Sequence, residues 1–223
     1  MISLTSNTLG EIWLSSIQSV LEQGQPHFDE DVGIREVIGL SIEVASPSPE
    51  DKFIYSVGDP KVIAKMLRKF SKGVVMEDRP FTYGQLIYDM NGVDQFEWMV
   101  DRLRRKPETK SASISLLRPG SNDFNLPCLS VLDAKIRLGA LPLQFFFRSQ
   151  NIFGRQYANL LALAELHKAL ACRLNCGVGG MKGLIASAHI YDYDLESAHS
   201  LVETLSTKVT DQYYSLGPAS IRK

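Results

Sequence analysis

The chain has 223 residues, of which 44% are hydrophobic and 22% are charged, and its net charge is -1. This composition is typical of a soluble globular protein, and we expect a single domain over residues 1–223. The near-neutral charge argues against nucleic acid and anionic membranes as partners, because both attract strongly basic surfaces. Neither a membrane span nor a secretory signal is predicted. Three cysteines, an odd number, favour reduced thiols and a cytoplasmic location.

Hydrophobic periodicity predicts the elements of the first half of the chain. Apolar residues that recur at the helical period predict three helices, over residues 8–23, 60–70 and 93–105, and Asn7 is the predicted cap of the first. Alternating apolar residues predict two strands, over residues 37–44 and 111–117.

Two charged segments of this half have a structural and a functional interpretation. The acidic run at residues 29–31 is interpreted as a solvated turn rather than a metal site, because His27 alone does not complete a ligand set. The helix over residues 60–70 carries several lysines. They form a solvated face or, as the rarer alternative, a surface for an acidic partner.

The second half predicts three strands, over residues 128–136, 141–148 and 184–191, of which the first two form a hairpin. An apolar helix over residues 159–174 is expected to cross the domain centre, and another over residues 194–205 to be capped by Asp194. Turn formers at 118–123 and glycines between 177 and 183 predict loops. After about residue 208 we expect a poorly ordered tail.

Together these elements predict an α+β fold class, with a mixed and largely antiparallel sheet packed against helices.

A thiol and a guanidinium stand where they could share one site. Cys128 follows a proline at the start of a predicted strand, and Arg148 and Ser149 end the strand that pairs with it. An attacking cysteine needs thiolate character, which a nearby cation supplies. A cysteine here is also often a buried core thiol, and Arg148 is also compatible with a strand-end ion pair. Cys172 and Cys176 lack further ligands, so no metal site is predicted.

Four separated elements resemble the thymidylate synthase family. They are Pro127-Cys128, Phe147-Arg148-Ser149, Asn159 and Ala188-His189-Ile190-Tyr191. The family has a Pro-Cys nucleophile, a strand ending in Arg-Ser, a loop to an Asn and a later His-x-Tyr, in this order and with similar gaps. The resemblance runs from about residue 81 to residue 196 and is greatest to the short archaeal-type members.

The resemblance implies chemistry at a pyrimidine nucleotide. Cys128 would add to C6 of the ring, so that C5 attacks the one-carbon unit of 5,10-methylene-tetrahydrofolate. Arg148 and Ser149 would bind the substrate phosphate. Asn159 would read the base, and its amide suits the donor and acceptor of uracil.

The resemblance also implies contacts with the sugar and a homodimer. His189 and Tyr191 would contact the sugar hydroxyl, although two residues on one strand face are also compatible with a packed polar pair. Tyr83 would assist proton transfer at C5. In the implied homodimer, the partner subunit lends cations to the phosphate site, and Lys110 falls at that position.

Four positions depart from the family's pattern, and one of them is Gln150, which precedes Asn151. Met66 falls where the family has a buried glutamate, and the nearest acids, Glu77 and Asp78, follow in the next loop. Asn151 stands where the family has an aspartate beside the cofactor, so it is the cofactor-binding residue that the resemblance implies. Lys110 stands where the family has paired arginines, and a lysine lacks their forked hydrogen bonding.

These departures leave three functions open. The first is a thymidylate synthase-like enzyme that methylates C5 of a uridine-type nucleotide. The second is an enzyme that hydroxymethylates C5, because that reaction uses water instead of hydride. The third is a nucleotide-binding relative that has lost catalysis.

Overall fold

The computed structural model describes residues 1–78, 80–118 and 126–215, with side chains through residue 205. Its strands are β1 (Ile2–Ser6), β2 (Gln25–Asp29), β3 (Val32–Val44), β4 (Ser113–Ser115), β5 (Leu129–Ala134), β6 (Ala140–Phe147), β7 (Gln150–Asn151) and β8 (Gly177–Tyr191). Its α-helices are α1 (Leu9–Gln23), α2 (Lys52–Val57), α3 (Pro60–Phe70), α4 (Tyr83–Tyr88), α5 (Gln95–Arg105), α6 (Tyr157–Leu174) and α7 (Leu195–Ser215). A π-helical turn (Ile152–Gln156) precedes α6, and a 3-10 turn (Asp192–Asp194) precedes α7.

The strands form one mixed sheet in the order β1-β3-β8-β6-β5-β4, with β2 paired to β3 and β7 paired to β8. The pairs β2–β3, β3–β8, β4–β5 and β5–β6 are antiparallel, whereas β1–β3, β6–β8 and β7–β8 are parallel. The predicted α+β class with a mixed, largely antiparallel sheet is therefore confirmed, and so is the β5–β6 hairpin.

Helix α6 lies at the centre of the helical layer. Twelve of its 18 residues are buried, and it packs against α1, α3 and α5 as well as β6 and β8. Burial on most sides explains why its sequence is apolar around the helix rather than on one stripe. The prediction of a central helix is thus confirmed, and the helix begins two residues earlier than predicted, at Tyr157.

The start of α1 corrects the predicted cap. Thr8, not Asn7, is the N-cap residue, because its hydroxyl accepts a hydrogen bond from the backbone N–H of Glu11 at 3.2 Å. The Glu11 carboxylate accepts in return from the backbone N–H groups of Asn7 and Thr8, at 2.9 and 3.0 Å. This reciprocal capping box satisfies N–H groups that have no partner within the helix.

Five short elements were not predicted from the sequence. They are β1, β2, β7, α2 and α4. All five residues of β2 are exposed, so its sequence has no apolar alternation to detect. Helices α2 and α4 have six residues each, too few for a clear helical period, and begin at the caps Asp51 and Thr82.

Helix α7 ends at Ser215, beyond the predicted end at residue 205. Residues 119–123 of the predicted loop and residues 216–223 of the predicted tail lie outside the described residues.

The glycine-rich segment is a strand, so its prediction as a loop was wrong. Strand β8 begins at Gly177 and pairs with β3 and β6. A Cβ atom on Gly179 would lie 2.6 Å from the backbone nitrogen of Pro142, and one on Gly183 would overlap the ring of Phe145. The two glycines therefore let β8 approach β6 more closely than side chains would allow.

Alanine at position 179 should destabilise the fold. We expect Gly179→Ala to lower the free energy of unfolding by about 1–3 kcal/mol, because the backbone of β6 blocks the new methyl group. Gly177→Ala is the matched control, since its methyl group would lie 3.6 Å from the nearest atom, an ordinary contact. Urea unfolding followed by circular dichroism measures both. Equal stability of the two variants would contradict the close approach.

Candidate active site

A cavity of about 490 Å³ opens where α3 and α4 face the carboxyl ends of β6 and β8. Eight of the residues singled out from the sequence line it: Tyr83, Cys128, Arg148, Ser149, Asn151, Asn159, His189 and Tyr191. Cys128 therefore faces this cavity and is only half-buried. Lys110 is exposed and does not line it.

Arg148 fixes the chain that leads to Cys128. Its guanidinium donates from Nε to the backbone oxygen of Pro127 at 3.2 Å and from Nη2 to that of Leu126 at 2.7 Å. Its backbone N–H donates to the Cys128 carbonyl at 2.9 Å. These three bonds hold the start of β5 against the end of β6. They place a cation and a thiol at the same wall of the cavity.

Tyr83 contacts the same stretch from the other side. It is the first residue of α4 and is buried, and its hydroxyl accepts from the backbone N–H of Leu129 at 3.2 Å. The ammonium of Lys69 lies over its ring, 4.1 Å from the centroid. Burial raises the pKa of the Tyr83 phenol, and the neighbouring Cys128 adds to this effect. The phenol is therefore protonated at neutral pH and remains a hydrogen-bond donor.

Two buried amides in the cavity wall have polar atoms without a partner among the described residues. In that part of the chain nothing is hydrogen-bonded to the Oδ1 atom of Asn159 or to the Oε1 and Nε2 atoms of Gln150. Leaving a buried polar group unpaired costs about 1–3 kcal/mol, so such atoms point to a ligand or water that completes them. Gln150 was not among the predicted site residues. Its position directly after Arg148-Ser149 was the available signal.

His189, Tyr191 and Asp29 meet at one end of the cavity. The rings of His189 and Tyr191 pack edge to face with centroids 5.1 Å apart. The Tyr191 hydroxyl donates to Oδ2 of Asp29 at 2.6 Å. Burial lowers the pKa of His189 and favours the neutral imidazole, while Asp29 and Glu36 act in the opposite direction.

The acidic residues 29–31 are all exposed, as predicted, and Glu30 and Asp31 form the turn. Asp29 departs from that interpretation in one respect, because it is the last residue of β2 and lines the cavity. The β2–β3 hairpin brings it there, because β3 places Ile34 opposite Tyr191 of β8.

One face of α3 supplies further cations. Lys61, Lys65 and Lys69, spaced four residues apart, all line the cavity, together with Arg155. Residues at this spacing lie on one side of a helix. Lys61 and Lys65 are exposed, as the interpretation of a solvated face expects, but the same face also borders the cavity. Lys65 also pairs with Asp78 at 2.9 Å, and both side chains are about half exposed.

A second cavity of about 800 Å³ adjoins the first and shares Val62, Asn151 and Arg155 with it. Four aromatic residues line it: Trp13, Phe153, Tyr157 and Tyr193. The Oδ1 atom of Asn151 accepts from the backbone N–H of Gly154 at 2.7 Å, and Asp194 lines the same cavity. Burial raises the pKa of Asp194, against the opposing effects of Arg155 and Asn151.

Met66 is buried and lines the first cavity, so an apolar side chain occupies that part of the wall. Glu77 and Asp78 line neither of the two cavities. Among the residues described as lining the first cavity, Asp29 is the one carboxylate.

Comparison with known proteins agrees with this geometry. The model of the family "Thymidylate synthase" matches residues 53–212, more than half of the chain. The chain belongs to the thymidylate synthase family. It is also similar to archaeal proteins that are provisionally named thymidylate synthases. The protein of Methanosarcina barkeri is 27% identical over 89% of this chain and 93% of its own length. That of Methanothermobacter marburgensis is 24% identical over 90% and 97%.

Over residues 1–78, 80–118 and 126–215, no helix has the length and apolar character to cross a membrane. The same part of the chain contains no group of three or more His, Cys, Asp or Glu arranged to hold a metal ion.

The lowered pKa of His189 predicts a loss of stability in acid. The unfolded chain binds a proton near the ordinary value of 6.5, before the folded protein does, so the contribution is present above that pH and lost below it. We expect the free energy of unfolding to fall between about pH 7 and about pH 5, and to fall less in His189→Asn. Urea titrations at both pH values test this. An equal fall in both proteins would contradict it.

Proposed function

We propose that this member of the thymidylate synthase family transfers a one-carbon unit from 5,10-methylene-tetrahydrofolate to C5 of a uracil nucleotide, by way of a covalent adduct with Cys128. One observation carries the proposal. Cys128 shares a cavity with a guanidinium and with two buried amides, Asn159 and Gln150. Oδ1 of Asn159 and both polar side-chain atoms of Gln150 have no partner in the described part of the chain. A pyrimidine nucleotide offers what each group needs: an electrophilic C6, an anionic phosphate and a hydrogen-bonding ring edge.

The assigned steps at the ring begin with Cys128. Its thiolate forms a bond to C6, and the electrons of the C5–C6 double bond move to C5 and the adjacent carbonyl. C5 then acts as the carbon nucleophile. After transfer, the C5 proton leaves, and its electron pair breaks the bond between the one-carbon unit and its carrier, which leaves a methylene group on C5. Addition of a hydride or of water to this methylene re-forms the C5–C6 double bond and breaks the bond between sulfur and C6. Because Met66 cannot exchange a proton, we assign proton handling to Tyr83, whose hydroxyl lies beside the start of β5.

Binding of the substrate uses the remaining groups of the cavity. We assign the phosphate to Arg148 and Ser149, with Lys61 and Lys69 adding positive charge on the opposite element. A guanidinium binds phosphate oxygens through two parallel donors. In this structure the Arg148 guanidinium already donates to two backbone oxygens. It would bind the phosphate through its remaining N–H groups, because a guanidinium has five donors. His189 and Tyr191 are assigned to the sugar.

The second cavity fits the one-carbon donor. It adjoins the first, its volume of about 800 Å³ suits a large ligand, and its aromatic lining suits flat ring systems. When bound there, the folate supplies the one-carbon unit and, for methylation, the hydride. Asn151 and Asp194 would hold the polar edge of its ring, since they lie together on the wall of this cavity. The dimer implied by the family, with Lys110 serving the partner's phosphate site, is part of this proposal.

Release of tritium from C5 tests the first half of the reaction. We expect protein incubated with C5-tritiated UMP, dUMP, CMP and dCMP to release tritium from at least one uracil nucleotide, and Cys128→Ala to reduce the rate by at least about 10³-fold. Cys172→Ala, which changes an exposed thiol outside both cavities, is the control and should behave like wild type. Binding without release from any of the four would favour the relative that has lost catalysis. Analysis of the product formed with methylene-tetrahydrofolate distinguishes methyl from hydroxymethyl transfer.

Base choice is expected to follow residue 159. An amide pairs with both O4 and N3–H of uracil, whereas a protonated carboxyl matches the amino group and N3 of cytosine. We therefore expect Asn159→Asp to lower the rate of tritium release from uracil nucleotides by about 10- to 100-fold and to raise that from cytosine nucleotides. Competition between the two bases in one reaction measures the change. An unchanged preference would show that Asn159 does not read the base.

A further inference from the structure

Asp29, His189 and Tyr191 form one end of the cavity, here called the acceptor corner. This corner contains more hydrogen-bond acceptors than donors. The single proton of the Tyr191 hydroxyl is already donated to Oδ2 of Asp29 at 2.6 Å. Burial raises the pKa of Tyr191, so this proton stays on the phenol. The lone pairs of the phenol oxygen and the Oδ1 atom of Asp29 remain available as acceptors.

His189 adds a second, independent sign of a ligand at the same place. Its side chain is 6% exposed and lines the cavity. Within the described residues its Nδ1 atom has no partner at full hydrogen-bond geometry, although the ring interacts with the backbone of Ser187. The edge-to-face contact with Tyr191 fixes the ring beside the Asp29 carboxylate. A buried imidazole nitrogen without a partner is costly, so a polar ligand group or a water is needed to complete it.

The charge of the corner restricts which part of a nucleotide it can take. A carboxylate repels a phosphate, and the cations of the cavity, Arg148 and Arg155 with the lysines of α3, attract it. Sugar hydroxyls are neutral donors, and a carboxylate that accepts from ribose hydroxyls is a known solution in dinucleotide-binding proteins. The corner therefore suits the sugar.

The number of acceptors then distinguishes two sugars. A 5′-phosphorylated deoxyribose carries one free hydroxyl, which can satisfy only one acceptor of the corner. A ribose carries two hydroxyls on neighbouring carbons, and these match the adjacent oxygens of Asp29 and Tyr191. We propose that Asp29 is a specificity-determining residue that selects ribose, so that the substrate is a pyrimidine ribonucleoside phosphate rather than a deoxyribonucleoside phosphate. This inference rests on the proposed function and refines its substrate class.

A purely structural role for Asp29 would have different consequences. If the carboxylate only held Tyr191 in place, its loss would weaken both sugars equally. If it contacts the second hydroxyl, its loss weakens the ribonucleotide alone. Asp29→Asn is the sharpest variant, because the amide oxygen still accepts from Tyr191 while the amide nitrogen presents a donor instead of an acceptor.

Calorimetric titration with UMP and dUMP tests the inference. We expect wild type to bind UMP at least about 10-fold more tightly than dUMP. A fully buried contact would give a larger ratio of affinities, but Asp29 lies at the exposed mouth of the cavity, where water weakens the contact. In Asp29→Asn the two affinities should differ by less than about 3-fold, with most of the loss in UMP. Asp31→Asn changes the same hairpin at an exposed residue outside the cavity and should keep the wild-type ratio.

Equal affinity of wild type for UMP and dUMP would overturn the inference, and so would an Asp29→Asn variant that weakens both alike. The wild-type ratio decides the matter even if Asp29→Asn fails to fold, which circular dichroism shows. Tritium release in the same samples separates this result from the proposed function. Release at equal rates from UMP and dUMP, with equal affinity, would refute sugar selection alone. Absence of both binding and release with either nucleotide would refute both proposals.

Discussion

The parallel pairing of β6 with β8 is the constraint on which the candidate site depends. Phe147 lies opposite Ile185, and the short β7 continues the ladder with Asn151 opposite His189. Parallel strands bring their carboxyl ends to the same edge of the sheet. Arg148, which directly follows β6, therefore reaches the same cavity as the end of β8, about 40 residues later in the chain. The close approach that the glycines of β8 permit is thus part of the construction of the site.

Periodicity predicted the elements in which burial is regular. Helices α1, α3, α5 and α6 and the β5–β6 hairpin are found within a few residues of their predicted positions, because apolar residues recur on their buried sides. Strand β2, which is exposed throughout, and the first half of β8, which is mostly glycine, carry no such pattern. The parallel alignment of β6 and β8 is a property of the assembled sheet. No local pattern in either strand encodes it.

The same distinction applies to the site. Residues within recognisable motifs, such as Cys128 and Asn159, were singled out because their types and spacing carry a chemical meaning. Asp29 could not be found in this way, since it reaches the cavity through the pairing of its hairpin with a strand more than 150 residues later. For the lysines of α3, the spacing shows that they share a helix face, but it does not show whether solvent or a cavity lies in front of that face. Gln150 had a position next to a motif but no pattern of its own.

The distribution of charge in the cavity orients an anionic ligand before any specific contact forms. The cations of α3 and Arg148 attract a phosphate, whereas the Asp29 carboxylate repels it. Two unit charges 4 Å apart interact by about 1 kcal/mol in water and by several times more near a protein surface. A nucleotide bound in the reverse direction would lose the attraction and meet the repulsion. Met66, which is apolar, adds no charge between these regions. A carboxylate at that position would lie in the helix that carries the cavity lysines and would neutralise part of their field. The apolar side chain therefore leaves the positive field of these lysines undiminished, and under the proposed function the C5 proton would be transferred through Tyr83.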